Sequence, residues 1–339
     1  MEKKKIVFIL PMLNGGGAER VAVNYMRQLD LTRYELYVIV FQESNEISKL
    51  LPKCQLVNLN TKSTKNSLFE LIKTIKNITP DIVYTTHSRV ATLLMLVKPF
   101  VKNFYHIARM QNTPTLEKKY NNYGVIHRVL YSLGFKSANI VIAQTQEMKD
   151  DAINVFGLNE KKIKVMNNPL DKIYINESIL NSVNPFEKDK ISAVVSGRLK
   201  KEKAFDLVLK SMNIILKDYP NFVLHILGYN EGEKDNLIQL TKDLNIENSV
   251  IFHDYISNPY SYYVNCDLFI LPSYKEGFPN VMLENYYLNT PIVATKCVPI
   301  VEQLIIDNQN GFVCEVDNLD SLTQGILNCI KNISRDSVF

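Results

Sequence analysis

Apolar runs with strand character fall at residues 5–10, 35–41, 55–59, 81–85, 103–108, 139–143 and 162–166, alternating with stretches of helical spacing. This alternation constrains the fold more than any other feature, because parallel strands need long crossovers and are covered on both faces by the crossover helices. A second series begins at 191 and continues at 221–227, 249–253, 267–271, 291–295 and 311–314. Two series predict an α/β chain of two doubly wound, Rossmann-like domains. Residues 1–168 form the first, 191–339 the second, and 169–190, entered through Asn167-Asn168-Pro169, a polar linker. At 339 residues the chain allows each half the usual domain size of roughly 100 to 200 residues. Ligands of such sheets lie beyond the carboxyl ends of the strands, so the site is expected where the domains face each other across a cleft. No internal repeat or low-complexity tract interrupts either series.

One strand-to-helix turn carries the densest chemistry. After the apolar run Leu268-Phe269-Ile270-Leu271 comes Glu276-Gly277-Phe278-Pro279-Asn280-Val281-Met282-Leu283-Glu284. Pro279 suits the first position of a helix, which would aim the amides of Asn280 and Val281 at an anion such as a diphosphate. Gly277 allows close backbone approach, Glu276 sits at the lip of the loop, and Glu284 projects from the helix. Two carboxylates so placed suit two sets of sugar hydroxyls. Spacing alone leaves open an ordinary capped helix with a solvated Glu at each end.

A second segment bears on that choice. The strand Ile191-Ser192-Ala193-Val194-Val195 runs into Ser196-Gly197-Arg198-Leu199 and then Lys200-Lys201-Glu202-Lys203. Arg198 offers a planar fork and Lys203 a mobile point charge, and both could clamp a diphosphate as charge grows on a leaving group. Lys200 and Lys201 by themselves read as solvated surface.

Together with Leu13-Asn14-Gly15-Gly16-Gly17-Ala18-Glu19-Arg20-Val21 after the first strand, these segments resemble, over nearly the whole chain, the retaining glycosyltransferases of family 4, which have the GT-B fold. That family includes many bacterial polysaccharide and lipid-linked oligosaccharide enzymes. The resemblance implies that Arg198 and Lys203 bind the diphosphate and stabilise the departing nucleotide, that Glu284 holds the ribose hydroxyls and that Glu276 contacts the transferred sugar. Gly16 and Gly17 would let the backbone approach phosphates or acceptor, and Tyr255 and Ile256 would meet the nucleobase. It further implies transfer, with retention, of a hexose or N-acetylhexosamine from a nucleotide sugar, UDP-linked by analogy, to a lipid-linked saccharide in O-antigen or capsule synthesis. A sugar-nucleotide epimerase or a phosphorylase of related two-domain fold is the alternative, and a two-lobed solute receptor is disfavoured by the paired cations.

The sequence also departs from the family pattern. A histidine common after the fifth strand is replaced, since His106 falls within the strand; Arg109 and Asn112 are better placed for the cleft, and His87, at another strand end, is a further candidate. Asn285-Tyr286-Tyr287 stand where small residues are usual, Asn289 stands for a glycine, and a glycine pair is missing from Cys297-Val298-Pro299-Ile300-Val301-Glu302. Asn tolerates the left-handed conformation that a helix end requires. The chain ends soon after the helix-like Leu319 to Lys331, so the helix that commonly crosses back to the first domain is expected to be absent or truncated.

Charge and cysteine content narrow the setting. Residues 1–168 carry 24 Lys and Arg against 13 Asp and Glu, whereas the rest carry 15 against 22. A basic first half calls for an anionic partner, and a membrane surface fits better than nucleic acid, for which no binding motif is present. The segments from Lys62 to Lys76 and Lys98-Pro99-Phe100-Val101-Lys102 are the candidates for touching anionic lipid, although the first has the stripe of a helix packed on its own sheet. No run approaches the ~20 apolar residues that span a bilayer. Only five apolar residues separate Lys5 from Pro11, too few for a signal peptide, so a cytoplasmic and at most peripheral protein is expected. Five cysteines without Cys-x-x-Cys spacing argue against disulfides or a zinc site. No Asp-x-Asp triplet occurs, and no cofactor or metal is expected: Arg198, Lys203 and a helix start would do the work of a divalent ion.

Overall fold

In a computed structural model, residues 2–14, 16–42, 47–61, 66–115, 124–180 and 182–336 are described. The chain divides into two compact units, Met1–Asp171 and Lys172–Phe339. The first holds strands β1 (Lys4–Leu10), β2 (Tyr34–Val40), β3 (Gln55–Asn58), β4 (Ile82–Thr85), β5 (Tyr105–Arg109), β6 (Ile140–Ala143) and β7 (Ile163–Val165). Its helices are α1 (Gly17–Arg27), α2 (Leu68–Ile78), α3 (Ser88–Val97), α4 (Val125–Lys136) and α5 (Gln146–Phe156). All neighbouring strands are parallel, in the order β3-β2-β1-β4-β5-β6-β7.

Burial on both faces explains why β1 is apolar throughout. Ile6, Phe8 and Leu10 pack with Ala22, Val23 and Met26 of α1. Val7 and Ile9 point the other way, onto Leu71 and Ile75 of α2 and Val90 and Leu94 of α3. A period of two thus sends successive side chains into two separate cores.

The second unit repeats the plan with β8 (Ile191–Ser196), β9 (Phe222–Leu227), β10 (Val250–His253), β11 (Leu268–Leu271), β12 (Ile292–Thr295) and β13 (Gly311–Cys314). They run parallel in the order β10-β9-β8-β11-β12-β13. Helices α6 (Lys172–Ile179), α7 (Phe205–Ile215), α8 (Lys234–Asp243), α9 (Tyr260–Asn265), α10 (Asn280–Tyr287), α11 (Ile300–Leu304) and α12 (Leu319–Asp336) connect and cover them. Leu322, Ile326 and Ile330 of α12 share one core with Leu207, Val208 and Met212 of α7.

The segment expected as a linker carries a helix. Residues 172–179 form α6, which buries Ile175, sets Tyr174 edge-on to Tyr260 at 5.9 Å between centroids, and takes a hydrogen bond from Tyr287 to Asn176 at 3.1 Å. Half of its eight residues are apolar or aromatic, yet only Ile175 is buried, so no clear amphipathic stripe marks it in the sequence. Asn168, Pro169 and Asp171 belong to the first unit: Asn24 donates to Pro169 O at 3.0 Å and Arg27 pairs with Asp171.

In each sheet the strand order reverses beside the first strand, between β1 and β4 and between β8 and β11. Such a reversal opens a crevice at the carboxyl ends, because the crossovers on its two sides leave in opposite directions.

Candidate functional site

In the second unit the two motifs of the sequence follow the two strands that flank the reversal. Ala193 and Val194 of β8 pair with Leu268 and Phe269 of β11, and Asp267 accepts the Ser192 amide at 2.7 Å, which fixes the stagger of the two strands. The loops leaving their carboxyl ends therefore meet. Lys203 donates to Glu276 Oε1 at 2.6 Å, and Ser273 donates to the same oxygen at 2.8 Å. Both partners of this ion pair are largely buried, so its charges are weakly screened.

Tight backbone geometry holds the cationic loop. Gly197 has φ +154° and Gly228 φ +149°, and a Cβ on Gly228 would overlap the Gly197 carbonyl oxygen. Ala204, directly after Lys203, adopts the left-handed conformation at φ +51° and is itself buried. A non-glycine residue there costs free energy that the surrounding packing must offset. Arg198 is exposed and donates to Glu231 Oε1 at 3.3 Å, and Lys200 pairs with Glu231 Oε2 at 2.6 Å. Burial, followed by the charges of Arg198 and Lys203, lowers the Lys200 pKa. The three cations thus form one positive patch with Glu231 and Glu276 as counter-charges.

The helix after β11 starts one residue later than the sequence suggests. Pro279 is the N-cap and Asn280 the first residue of α10. The Asn280 amide donates back to Phe278 O at 3.0 Å, so of the two amides anticipated at the helix start that of Asn280 is already engaged. Gly277 is half-buried at the turn, whereas Phe278 is buried. Glu284 is also buried, with Tyr260 donating to its Oε1 at 3.5 Å. The helix ends at Asn289 with φ +59°, the left-handed conformation anticipated for that residue. Beside the ion pair lies Cys297, whose thiol is pushed up to about 12 by burial and by the negative charge of Glu276. After β10, the Tyr255 ring meets Tyr229 edge-on at 5.9 Å, while Ile256 is half-buried.

Ser273, Glu231, Tyr229 and Tyr260 also line this region, and no motif in the sequence marks them. The first three lie within four residues of the carboxyl end of a strand, so the strand-end rule applied to every strand would have found them. Tyr260 is brought to Glu284 only by packing.

The strand ends of the first unit form a separate polar group. Gly16 caps α1, and Glu19 folds back over it so closely that a Cβ on Gly16 would meet its carboxylate. Gly17 begins the helix. His87 follows β4; its Nε2 accepts from Gln111 at 2.8 Å, leaving Nδ1 to donate to Thr86 Oγ1 at 2.7 Å, and Glu19 Oε1 lies 3.8 Å from Nε2. His106 lies within β5, as anticipated, with Nε2 3.0 Å from Thr85 Oγ1. Burial lowers its pKa to about 3.

Arg109 departs from expectation. It is fully buried, donates to Asn168 Oδ1, and faces the Tyr25 and Tyr84 hydroxyls in charge terms. Asn168 donates to Gln144, which in turn donates to Met110 O and Gln111 O at 2.7 and 2.9 Å. Arg109 ends β5 with its side chain turned into this amide chain, so it braces the strand ends and presents no guanidinium to a ligand. Asn112, two residues past the buried Met110, is itself half-buried.

Two sequence families divide the chain between them. Residues 15–172 match Glycosyltransferase Family 4 and residues 177–337 match Glycosyl transferases group 1. The N-acetylgalactosamine-N,N'-diacetylbacillosaminyl-diphospho-undecaprenol 4-alpha-N-acetylgalactosaminyltransferase of Campylobacter jejuni is 27% identical, over 97% of this chain and 91% of that protein. The O-antigen biosynthesis glycosyltransferase WclY of Escherichia coli is 25% identical, over 97% and 89%. Anabaena HepE, solved with UDP and glucose, has the same fold, with a TM-score of 0.78 at 18% identity over 98% of this chain and 91% of that one. With both halves matched and the paired Rossmann-like units in place, the chain belongs to the GT-B glycosyltransferases of family 4, of the kind that builds bacterial surface polysaccharides.

Proposed function

We propose that the protein transfers a hexose or N-acetylhexosamine, with retention at the anomeric carbon, from a UDP-sugar to a lipid-linked saccharide at the cytoplasmic face of a membrane. The observation that carries this reading is the meeting of Lys203, Ser273 and Glu276 at the ends of adjacent strands, with Glu284 buried on the helix that follows. Arg198 and Lys203 hold the diphosphate. As the bond from the anomeric carbon to the phosphate oxygen breaks, negative charge collects on the departing nucleotide and both cations stabilise it, in the role that a divalent ion fills elsewhere. The Val281 amide at the start of α10 adds a donor. Glu284 accepts from the ribose hydroxyls, Glu276 orients the transferred sugar, and Tyr255 with Ile256 borders the base. In the first unit, Gly16, Gly17, His87 and Asn112 stand on the acceptor side.

The relatives support the choice of substrates. The Campylobacter enzyme is named for α-transfer of N-acetylgalactosamine onto a diphospho-undecaprenol, and HepE holds UDP and glucose. Melting the purified protein across UDP-, GDP- and ADP-sugars tests the donor, since a bound nucleotide raises stability by mass action. Transfer from the stabilising donor to an undecaprenyl-diphosphate saccharide, with the product's anomeric configuration read by NMR, tests the rest. Chelator is expected to leave the rate unchanged; a loss restored by magnesium or manganese overturns metal independence. Donor turnover without any acceptor would favour an epimerase or phosphorylase instead.

A further inference from the structure

Three cations of the loop after β8 are already engaged. Lys203 pairs with Glu276, whereas Arg198 and Lys200 each meet one oxygen of a single carboxylate, Glu231, at 3.3 and 2.6 Å. Glu231 comes from the loop that leaves β9. Backbone geometry, rather than the ion pairs, brings it there. β9 lies beside β8, and the two chains stay paired past their strand ends: Leu199 N donates to Tyr229 O at 3.1 Å, Leu199 bridges to Asn230, and Glu231 N donates to Leu199 O at 3.3 Å. Asn230 Oδ1 then accepts from the Gly232 and Lys234 amides at 2.8 and 3.1 Å, and Gly232 turns the chain at φ +111°, which favours glycine. The main chain thus fixes residue 231 against the cationic loop, while its side chain stays 26% exposed.

Pairs as exposed as these contribute little to the stability of the fold. What Glu231 changes is the charge that an arriving anion meets. Its two oxygens take the donors that two phosphate oxygens would take, because carboxylate and phosphate offer a guanidinium fork the same pair of acceptors. Glu276 differs from it in two respects. Its side chain is only 12% exposed, and Ser273 holds its Oε1 alongside Lys203. Among the described residues, Arg198 and Lys200 are the groups that hold the Glu231 carboxylate, so Glu231 is the one free to yield.

We infer that Glu231 is an internal competitor for the diphosphate: it holds Arg198 and Lys200, gives them up to an arriving nucleotide diphosphate, and takes them back as the spent nucleotide leaves. This deepens, and rests on, the reading that Arg198 binds the donor's diphosphate. The competition acts more strongly on product than on donor. Cleavage at the anomeric carbon leaves the terminal phosphate of UDP with about one further negative charge, which the cations would otherwise hold more tightly. Glu231 therefore lowers affinity where low affinity helps turnover, at product release.

Titration calorimetry of the full-length protein with UDP, inorganic pyrophosphate and uridine tests the inference. Glu231→Gln keeps the shape and removes the charge; it is expected to tighten UDP and pyrophosphate by about three- to tenfold, the worth of two partly exposed ion pairs, and to leave uridine, which has no phosphate, unchanged. Glu231→Ala is expected to act in the same direction. Pyrophosphate reads the cations whichever base the donor carries. UDP dissociation from the immobilised Gln variant, followed by surface plasmon resonance, is expected to slow by a similar factor. Unchanged or weaker binding of UDP and pyrophosphate by either variant with its melting point retained overturns the inference. So does an equal tightening of uridine, or a gain that comes wholly from faster association. Arg198→Gln separates this outcome from the donor-site reading. Weaker UDP and pyrophosphate binding in that variant supports the reading whatever Glu231 does, whereas undiminished binding removes Arg198 as a diphosphate ligand and the inference with it.

Discussion

At the scale of single residues, the two glutamates of the α10 turn are expected to separate binding from turnover. Glu284 lies buried beneath the proposed ribose position, so Glu284→Gln should raise the donor KM by about 10- to 100-fold, the worth of a charged hydrogen bond, with a smaller effect on kcat. Glu276 holds Lys203, so Glu276→Gln should lower kcat more than it raises KM. Steady-state kinetics on both variants check the split. Equal changes in the two would mean that the carboxylates share one role. His106 sets a dependence of stability on pH. Burial holds its folded pKa at about 3 against an ordinary 6.5, so between those values the unfolded chain takes up a proton that the folded chain refuses. Stability should therefore decline as pH falls below about 6.5, by on the order of 1 kcal/mol per unit, and be unaffected by this group above it. Urea unfolding at neutral and mildly acidic pH should show a shallower decline for His106→Asn, and an unchanged slope would remove His106 as the cause. His225, lowered to about 4 by burial and by His253, acts in the same direction, so part of the decline remains in that variant. Glu276, Arg198 and Lys203 stand out as candidates in the sequence because each follows an apolar strand. Arg109 misled for the same reason: strand-end position gives no information about whether a side chain turns outward or back into the domain.

At the scale of elements, two contacts depend on backbone geometry. Helix α4 rests on α3 through Gly134, where an added Cβ would lie 2.7 Å from the Thr92 amide nitrogen. Gly134→Ala should cost about 1–3 kcal/mol by forcing the helices apart, despite the better helix propensity of alanine, and denaturant unfolding measures it. At the end of α10, Asn289 sits at φ +59°, so Asn289→Val should destabilise by roughly 1–2 kcal/mol while Asn289→Gly is neutral or better. The strands were legible almost to the residue, because strands buried on both faces show as unbroken apolar runs. Helix α6 was not, since Ile173, Tyr174, Ile175 and Ile179 in eight residues follow no clear helical stripe. Nor was α4: its outward apolar stripe makes the helix look apolar all round, and only its packing on α3 tells which side is left uncovered.

At the scale of the whole molecule, both units have the doubly wound plan, yet they differ in charge and in what their strand ends carry. Nucleotide should therefore act unevenly along the chain. Hydrogen exchange with UDP present is expected to slow in 196–203 and 273–284, with little change across the α4 segment; protection confined to the first unit would overturn the donor assignment. The sequence by itself determined the two-unit α/β plan, the strand positions and which charged residues come directly after a strand, because these follow from local periodicity and chain order. Tertiary structure decided which groups meet. Lys203 and Glu276 are 73 positions apart and touch only because β8 and β11 are neighbours in a sheet whose order differs from the order of the chain. The same nonlocal packing buries Arg109 and exposes Val125 and Ile126, since burial depends on what the rest of the chain lays against a side chain.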